Sequence, residues 1–196
     1  MTSLVNTSSS ITSIQSCPNL ETKSIRLRPL EQSDARELHA LWSDPLVKQM
    51  SGIDGDQSLA SIEGGLNYFI GLNQAGFYNK WILEEKDTHQ MVGECEFYPV
   101  RPQIRPWLEW NIGFSSKPEF WGKGYMSEVL SEVIDFGFTK TSAIRINADV
   151  LQDNERSKRF LLKNGFIPES AQHQKFLIEG QVRDSVQFVL LKNILN

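Results

Sequence analysis

The 196-residue chain has little of what would mark several large protein classes. It has two cysteines, Cys17 and Cys95. Two do not make a disulfide framework, so a reducing compartment, the cytoplasm, is expected. The three histidines, His39, His89 and His173, are scattered, and no paired Cys or His spacing suggests a metal site. No stretch approaches the ~20 apolar residues of a membrane span. There is no basic excess: formal net charge is −4, which argues against nucleic acid as a partner and suits a cationic substrate better. Internal repeats and a low-complexity core are also missing. What is present is an ordinary globular composition, 40% hydrophobic and 22% charged.

Residues 1–22, MTSLVNTSSSITSIQSCPNLET, are rich in Ser, Thr and Asn with one charge, Glu21. With no basic start and no apolar run, they do not read as a secretory signal. They read as a flexible tail or a lead-in on the surface, ahead of one domain over 23–196.

Within that domain helical and strand patterns alternate. SIRLRPL (24–30) reads as a strand. Ser33 can cap a helix with Ala35, Leu38, Leu41 and Trp42 on one stripe, ended by Pro45. Residues 58–75 give a second helix. KWILEEKD, QMVGECEFYPV and WLEWNIGF follow as strands, the first two joined by a turn near Asp87–His89. Residues 122–140 hold the clearest helical stripe: Met126, Val129, Leu130, Val133, Ile134 and Gly137. AIRINADV alternates strictly, with Ile144, Ile146, Ala148 and Val150 on one face and Arg145, Asn147 and Asp149 on the other. NERSKRFLLKNG is a short helix stopped by Asn164-Gly165, and a hairpin around Glu179-Gly180 closes the chain. Seven strands and four helices imply one mixed α/β sheet domain.

Gly122-Lys123-Gly124 stands between a strand and the long helix. Helix starts carry unpaired N–H groups and partial positive charge, and glycines there let an anion lie against the backbone. A simple turn is the alternative. Gly122-Lys123 is followed by Gly124, so there is no Gly-Lys-Ser/Thr phosphate loop; position 127 is Ser, so the third glycine of a dinucleotide loop is missing.

Taken together, "FWGKGYMSEVL", "NERSKRFLLKNGF", "LRPLEQSDARELHALWSDP" and "GQVRDSVQFVLL" resemble the GNAT superfamily of N-acetyltransferases, most of all its ribosomal-protein N-terminal (alanine/serine) acetyltransferase branch. The resemblance spans about residues 24–192. It implies a mostly antiparallel, twisted sheet whose central strands splay to form an acyl-CoA cleft. It implies acetyl-CoA as co-substrate, no metal, and direct transfer to a primary amine, either a protein N-terminus or a small-molecule amine. A non-catalytic acyl-CoA-binding module is the alternative, and family members are monomers or homodimers.

The resemblance carries the pyrophosphate to Trp121, Gly122, Lys123, Gly124, Tyr125 and Met126. It carries the pantetheine arm to the backbone of Asn111, Ile112 and Phe114. Asn154 would bind that arm, and Ser157 would meet the sulfur. Among the carboxylates Glu109 is the first choice for general base, with Glu94 and Glu96 as alternatives. Asn111 stands where relatives carry Glu, Glu119 where Arg or Gln is usual, and Met126 where alanine is common. Asp184 is expected in amine binding or loop structure. Tyr68, Phe69, Phe77, Tyr78, Trp81, Trp107 and Trp110 are candidates for core or for walls of the acceptor cleft.

Overall fold

A computed structural model describes residues 16–52, 58–76, 78–104, 106–178 and 180–193. The chain runs β1 (Leu20–Glu21), β2 (Ile25–Pro29), α1 (Ala35–Ser43), α2 (Pro45–Met50), α3 (Leu59–Gln74), β3 (Asn79–Glu85), β4 (Met91–Pro99), β5 (Glu109–Ser116), α4 (Tyr125–Lys140), β6 (Arg145–Leu151), α5 (Glu155–Lys163), β7 (Ile167–Ile178) and β8 (Gln181–Leu191). The strands form one sheet in the order β1-β2-β3-β4-β5-β6-β8-β7. Every pairing is antiparallel except β5 with β6.

Eight strands and five α-helices among the described residues replace the seven and four expected. The extra strand is β1, two residues paired with β2. It lies within 1–22, of which residues 1–15 are outside the described set. Cys17 in the same stretch is buried, its N–H bonded to the Asn73 carbonyl at 2.9 Å. The extra helix is α2. Pro45 does end α1, but it also occupies the first turn of α2, where its missing N–H costs nothing. Asp44 caps α2, accepting from the Leu46 and Val47 amides. Nor does Ser33 cap α1. A 3-10 turn, Gln32–Asp34, leads into it, and the Asp34 carboxylate accepts from the Glu31 N–H at 2.8 Å and from Arg28 at 2.6 and 2.9 Å.

Strand alternation sorts the residues onto two faces. On one, Trp81, Cys95, Phe97, Trp110, Ile112, Ile146 and Ala148 pack with Val129, Leu130 and Val133 of α4 and Leu161 of α5. Trp81 and Trp110 are therefore core: one donates its indole N–H to the Pro18 carbonyl, the other stacks on Phe97 at 4.6 Å. On the opposite face Ile82 and Met91 pack with Leu38 and Leu41 of α1 and Ile62 and Leu66 of α3. Beyond those apolar contacts this second face turns polar, and there the candidate site begins.

Gly137 lets α4 sit close on the sheet. A Cβ at this position would lie 2.7 Å from the Phe97 ring. That ring is fully buried against Trp110 and edge-on to Phe136, so it has nowhere to move. Gly137→Ala gains up to ~1 kcal/mol of helix propensity but overpacks the core at ~1–3 kcal/mol, so a net loss of about 1–2 kcal/mol is expected. A lower urea midpoint with unchanged slope checks this.

Candidate active site

The parallel β5–β6 pairing covers three rows: Glu109 with Arg145, Trp110 with Ile146, and Asn111 with Asn147. From Ile112 onward β5 follows β4 out to Ser116, while β6 follows β8 out to Leu151. The two central strands part, and each leaves one backbone edge unpaired. At the far end of β5 lies a cavity of about 230 Å³. Its walls are Val47 and Met50 of α2, Phe114 to Ser116 of β5, Trp121 and Met126 beside the glycine loop, and Asn154, Arg156, Ser157 and Phe160 of the α5 segment. Phe114 and Phe160 meet edge to face at 5.3 Å and hold α5 against β5.

Five residues expected in the site meet in this cavity: Phe114, Trp121, Met126, Asn154 and Ser157. Gly122, Lys123, Gly124 and Tyr125 stand on the adjoining loop and helix start. Gly122 has φ 78° and Gly124 φ 87°, both left-handed. A Cβ at either would meet nothing within 4 Å, so backbone angle and not crowding within the chain selects glycine. As N-cap of α4, Gly124 has no side chain to occupy the first-turn amides; the Ser127 N–H turns back to the Gly124 carbonyl at 3.0 Å, and those of Tyr125 and Met126 are left for an anion. Lys123 lays its ammonium 4.7 Å from the Phe120 ring centre. Glu119 is exposed. Ile112 is buried on the α4 face, so only its backbone faces the splay.

Asn154 uses both ends of its amide within the chain. Its Oδ1 accepts from the Ser157 N–H at 3.0 Å as the cap of α5, and its Nδ2 donates to the Met50 carbonyl at 2.7 Å. It thereby ties α5 to α2 across the cavity. The hydroxyl of Ser157 takes part in no hydrogen bond among the described residues. Arg156 is exposed and stacks on Trp121 with its guanidinium 3.7 Å from the ring centre. Trp121 is itself fixed, its indole N–H donating to the Ser116 carbonyl at 2.9 Å.

On the α1/α3 side of the sheet, side chains of alternate residues make a continuous polar lane starting at the cavity wall. Ser115 donates to Glu94 at 3.2 Å, and Trp42 donates to the same oxygen at 2.8 Å. Lys80 bridges Glu94 at 2.5 Å and Glu96 at 3.2 Å. Tyr78 donates to Glu96 at 2.5 Å and stacks on Tyr98 at 4.7 Å. A Cβ on Gly113 would lie 2.7 Å from Glu96 Oε1, so glycine leaves the path that Glu96 takes over β5. Burial alone would lower the Lys80 pKa, but Glu94 and Glu96 together raise it, and the ammonium stays charged.

Glu109 and Asn111 close the lane at the paired end, away from the cavity lining. Glu109 Oε1 accepts from Arg145 at 3.2 Å and from Asn147 at 2.9 Å. Arg145 also forks onto Glu169. Asp184 accepts from the Gln174 N–H and from His173, clasping the irregular part of β7, which fits a role in loop structure. Tyr68 is largely exposed, while Phe69 packs with Tyr78. Phe77 lies outside the described residues.

Sequence reasoning passed over Arg156, Ser115, Lys80, Arg145 and Asn147. Arg156 was one position from Ser157 but off the stripe that marked the helix's inner face. Lys80 opens a strand and reads as a solvated end; only the pairing of β3 with β4 sets it between two glutamates.

Residues 24–167 match the family model of the acetyltransferase (GNAT) domain. The chain is 31% identical over 175 residues to the uncharacterized N-acetyltransferase YoaA of Bacillus subtilis (strain 168), covering 89% of this chain and 97% of that protein. Among solved structures, the ribosomal-protein-S5-alanine acetyltransferase from Vibrio fischeri shares the fold with TM-score 0.78 at 18% identity, over 91% of this chain and 99% of that one. The spermidine N-acetyltransferase from Vibrio cholerae, solved with CoA and spermine, does so with TM-score 0.74 at 21% identity, over 86% and 96%. The cleft between parting strands, the uncapped glycine helix start and this match over most of the chain together place the protein in the GNAT acetyltransferase family of enzymes.

Proposed function

We propose that this chain transfers the acetyl group of acetyl-CoA directly to a primary amine, a protein N-terminus or a small-molecule amine. The observation that carries the reading is the unpaired β5 edge leading from the splay, past the cavity, to the uncapped start of α4. An extended pantetheine arm would satisfy that edge as a further strand would. The pyrophosphate would lie on the amides of Gly122 to Met126, the Trp121 N–H being spent on the Pro118 carbonyl, with Arg156 adding a charged fork at the mouth. Ser157 lines the cavity with its hydroxyl uncommitted and would meet the departing sulfur. A thiolate leaves readily, so a hydrogen bond there is enough.

The two solved neighbours act, by name, on an alanine of a ribosomal protein and on spermidine. Both acceptors offer an amine, and that shared chemistry is what we carry to this chain. The lane beneath α1 and α3 supports it, because the carboxylates of Glu94, Glu96, Glu109, Asp149 and Glu169 outnumber the cations Lys80, Arg145 and Lys175. Such a face favours an arriving ammonium over an anion. As general base, Glu109 would have to work through Oε2, because Oε1 already accepts from both Arg145 and Asn147. That engagement favours one second reading: a domain that binds acyl-CoA without turning it over.

Calorimetric titration with acetyl-CoA tests the donor half. Wild type is expected to bind with Kd between ~1 μM and ~1 mM, the range ordinary for enzyme substrates. Gly124→Glu adds a carboxylate and a strained φ at the helix start and is expected to abolish the heat, with the fold checked by circular dichroism. No binding by wild type refutes both readings; binding without thiol release on any amine leaves the second. Arg156→Met is expected to weaken acetyl-CoA binding about tenfold, the scale of one charge-assisted hydrogen bond, and to leave S-acetyl-pantetheine, which lacks the pyrophosphate, unaffected. Equal loss for both ligands would remove Arg156 from the phosphate site.

A further inference from the structure

Among the carboxylates on the polar face, one is left without a donor. Glu94 accepts from Trp42 and Ser115, Glu96 from Tyr78 and Lys80, and Glu109 from Arg145 and Asn147. Asp149 accepts no hydrogen bond among the described residues. Its neighbour Lys175, reaching over from β7, stops at 3.9 Å, beyond hydrogen-bond distance.

Register fixes where this carboxylate stands. Asn147 is the last residue of β6 paired with β5, its partner being Asn111. Asp149 is two residues on, so it projects from the same face as Asn147 but beside the open splay. Gly113 is its counterpart across the gap on β5, two residues beyond Asn111, and offers no side chain to block the way. Tyr98, on β4 across the lane, feels the charge of Asp149. The side chain is 23% exposed, enough to meet a substrate and too little to be fully hydrated. Burial pushes its carboxyl above the usual aspartate range, opposed in part by Lys175.

We propose that Asp149 is the catalytic carboxylate of the acceptor site, the group that receives the incoming ammonium and removes the proton that must leave before attack. The inference rests on the transferase reading above. The acceptor R–NH3+ gives one proton to Asp149 and becomes a neutral amine. Its lone pair forms the C–N bond at the thioester carbonyl, the C–S bond breaks, and the pair goes to sulfur. The second nitrogen proton goes to the thiolate, giving CoA thiol and amide, and Asp149 releases its proton to water. Partial burial moves the carboxyl toward the operating pH, where a general base works best. Glu109, with two donors on one oxygen, fixes the closed end of the strand pair.

The experiment compares wild type, Asp149→Asn, Asp149→Glu and Glu109→Gln by acetyl-CoA calorimetry and by thiol release. The acceptors are spermidine, an Ala-initiated peptide, a Ser-initiated peptide and hydroxylamine, the last largely neutral at pH 7 and in no need of a base. Asp149→Asn is expected to keep acetyl-CoA binding while kcat/KM for the acetylated amine falls on the order of 100-fold or more. Hydroxylamine turnover should hold within a few-fold, and Asp149→Glu should recover part of the loss. Undiminished amine turnover by Asp149→Asn, or an equal loss with hydroxylamine, overturns the role of Asp149 and leaves the transferase reading standing. Absence of acetyl-CoA binding by wild type overturns the transferase reading itself. Binding without turnover of any of the three amines overturns the transfer and the role together.

Discussion

Two strands that part after three paired rows leave backbone amides and carbonyls with no partner, and the rest of this molecule is arranged around that cost. Each buried, unpaired backbone group costs roughly 1–3 kcal/mol, so a splay between central strands persists only where other elements enforce it. Here the enforcement is plain. β5 is committed to β4 along its whole length, and β6 is committed to β8 along its own. Sheet twist separates the two halves. The Phe114–Phe160 contact wedges α5 into the opening, and Asn154 bolts that helix to the end of α2. Residues that look like ligand contacts in a sequence are thus, in part, the struts that keep a ligand's place open. Asn154 is the clearest case. Its side-chain amide is spent on Ser157 and Met50, and those two bonds tie the α5 side of the cavity wall to the α2 side.

The buried Lys80 is a second consequence of the same architecture. A lysine taken out of water costs several kcal/mol unless it is well paired. Lys80 is held by two glutamates from β4 and lies over Trp42 and Phe69 at 5.3 and 5.5 Å. One ammonium neutralises one carboxylate of the two, so the lane keeps a net negative balance close to the cavity. It also fixes Glu94 and Glu96 in place, each with a tyrosine or tryptophan donor besides. A face built this way is rigid and mildly anionic, which suits recognition of a cation more than repeated proton transfer by those same two glutamates.

Much of this was legible from the sequence because it rests on period and cap chemistry. The stripe of α4, the alternation in β6, the Asn164-Gly165 stop with Gly165 at φ 86° and the closing hairpin are local patterns, and local patterns survive in the fold. The glycine pair was legible for the same reason: two left-handed angles before a helix leave few other residues. What could not be read were consequences of register and tertiary contact. Pro45 looked like an end and was also a beginning, since Asp44 before it supplies a cap. β1 is two residues long and exists because β2 offers it an edge. Arg156 gains meaning only from Trp121, thirty-five positions earlier in the chain. Trp81 and Trp110 were candidates for the cleft until pairing put them on the other face.

The same distinction separates Glu109 from Asp149. Both are acidic, both lie on the central strands, and both point to the α1/α3 side. Sequence position favours Glu109, because it sits in the strand that feeds the glycine loop. Pairing reverses the order. Glu109 occupies the first row of the β5–β6 pair, opposite Arg145, where strands are closed and donors abundant. Asp149 occupies a row that is paired with β8 but no longer with β5. Glu109 stands in a closed row and is taken up by two donors, whereas Asp149 stands beside the open splay, partly dehydrated and without a donor. The point at which the pairing stops therefore sets both the open backbone edge of β5 and the surroundings of Asp149, and those two features share one cause.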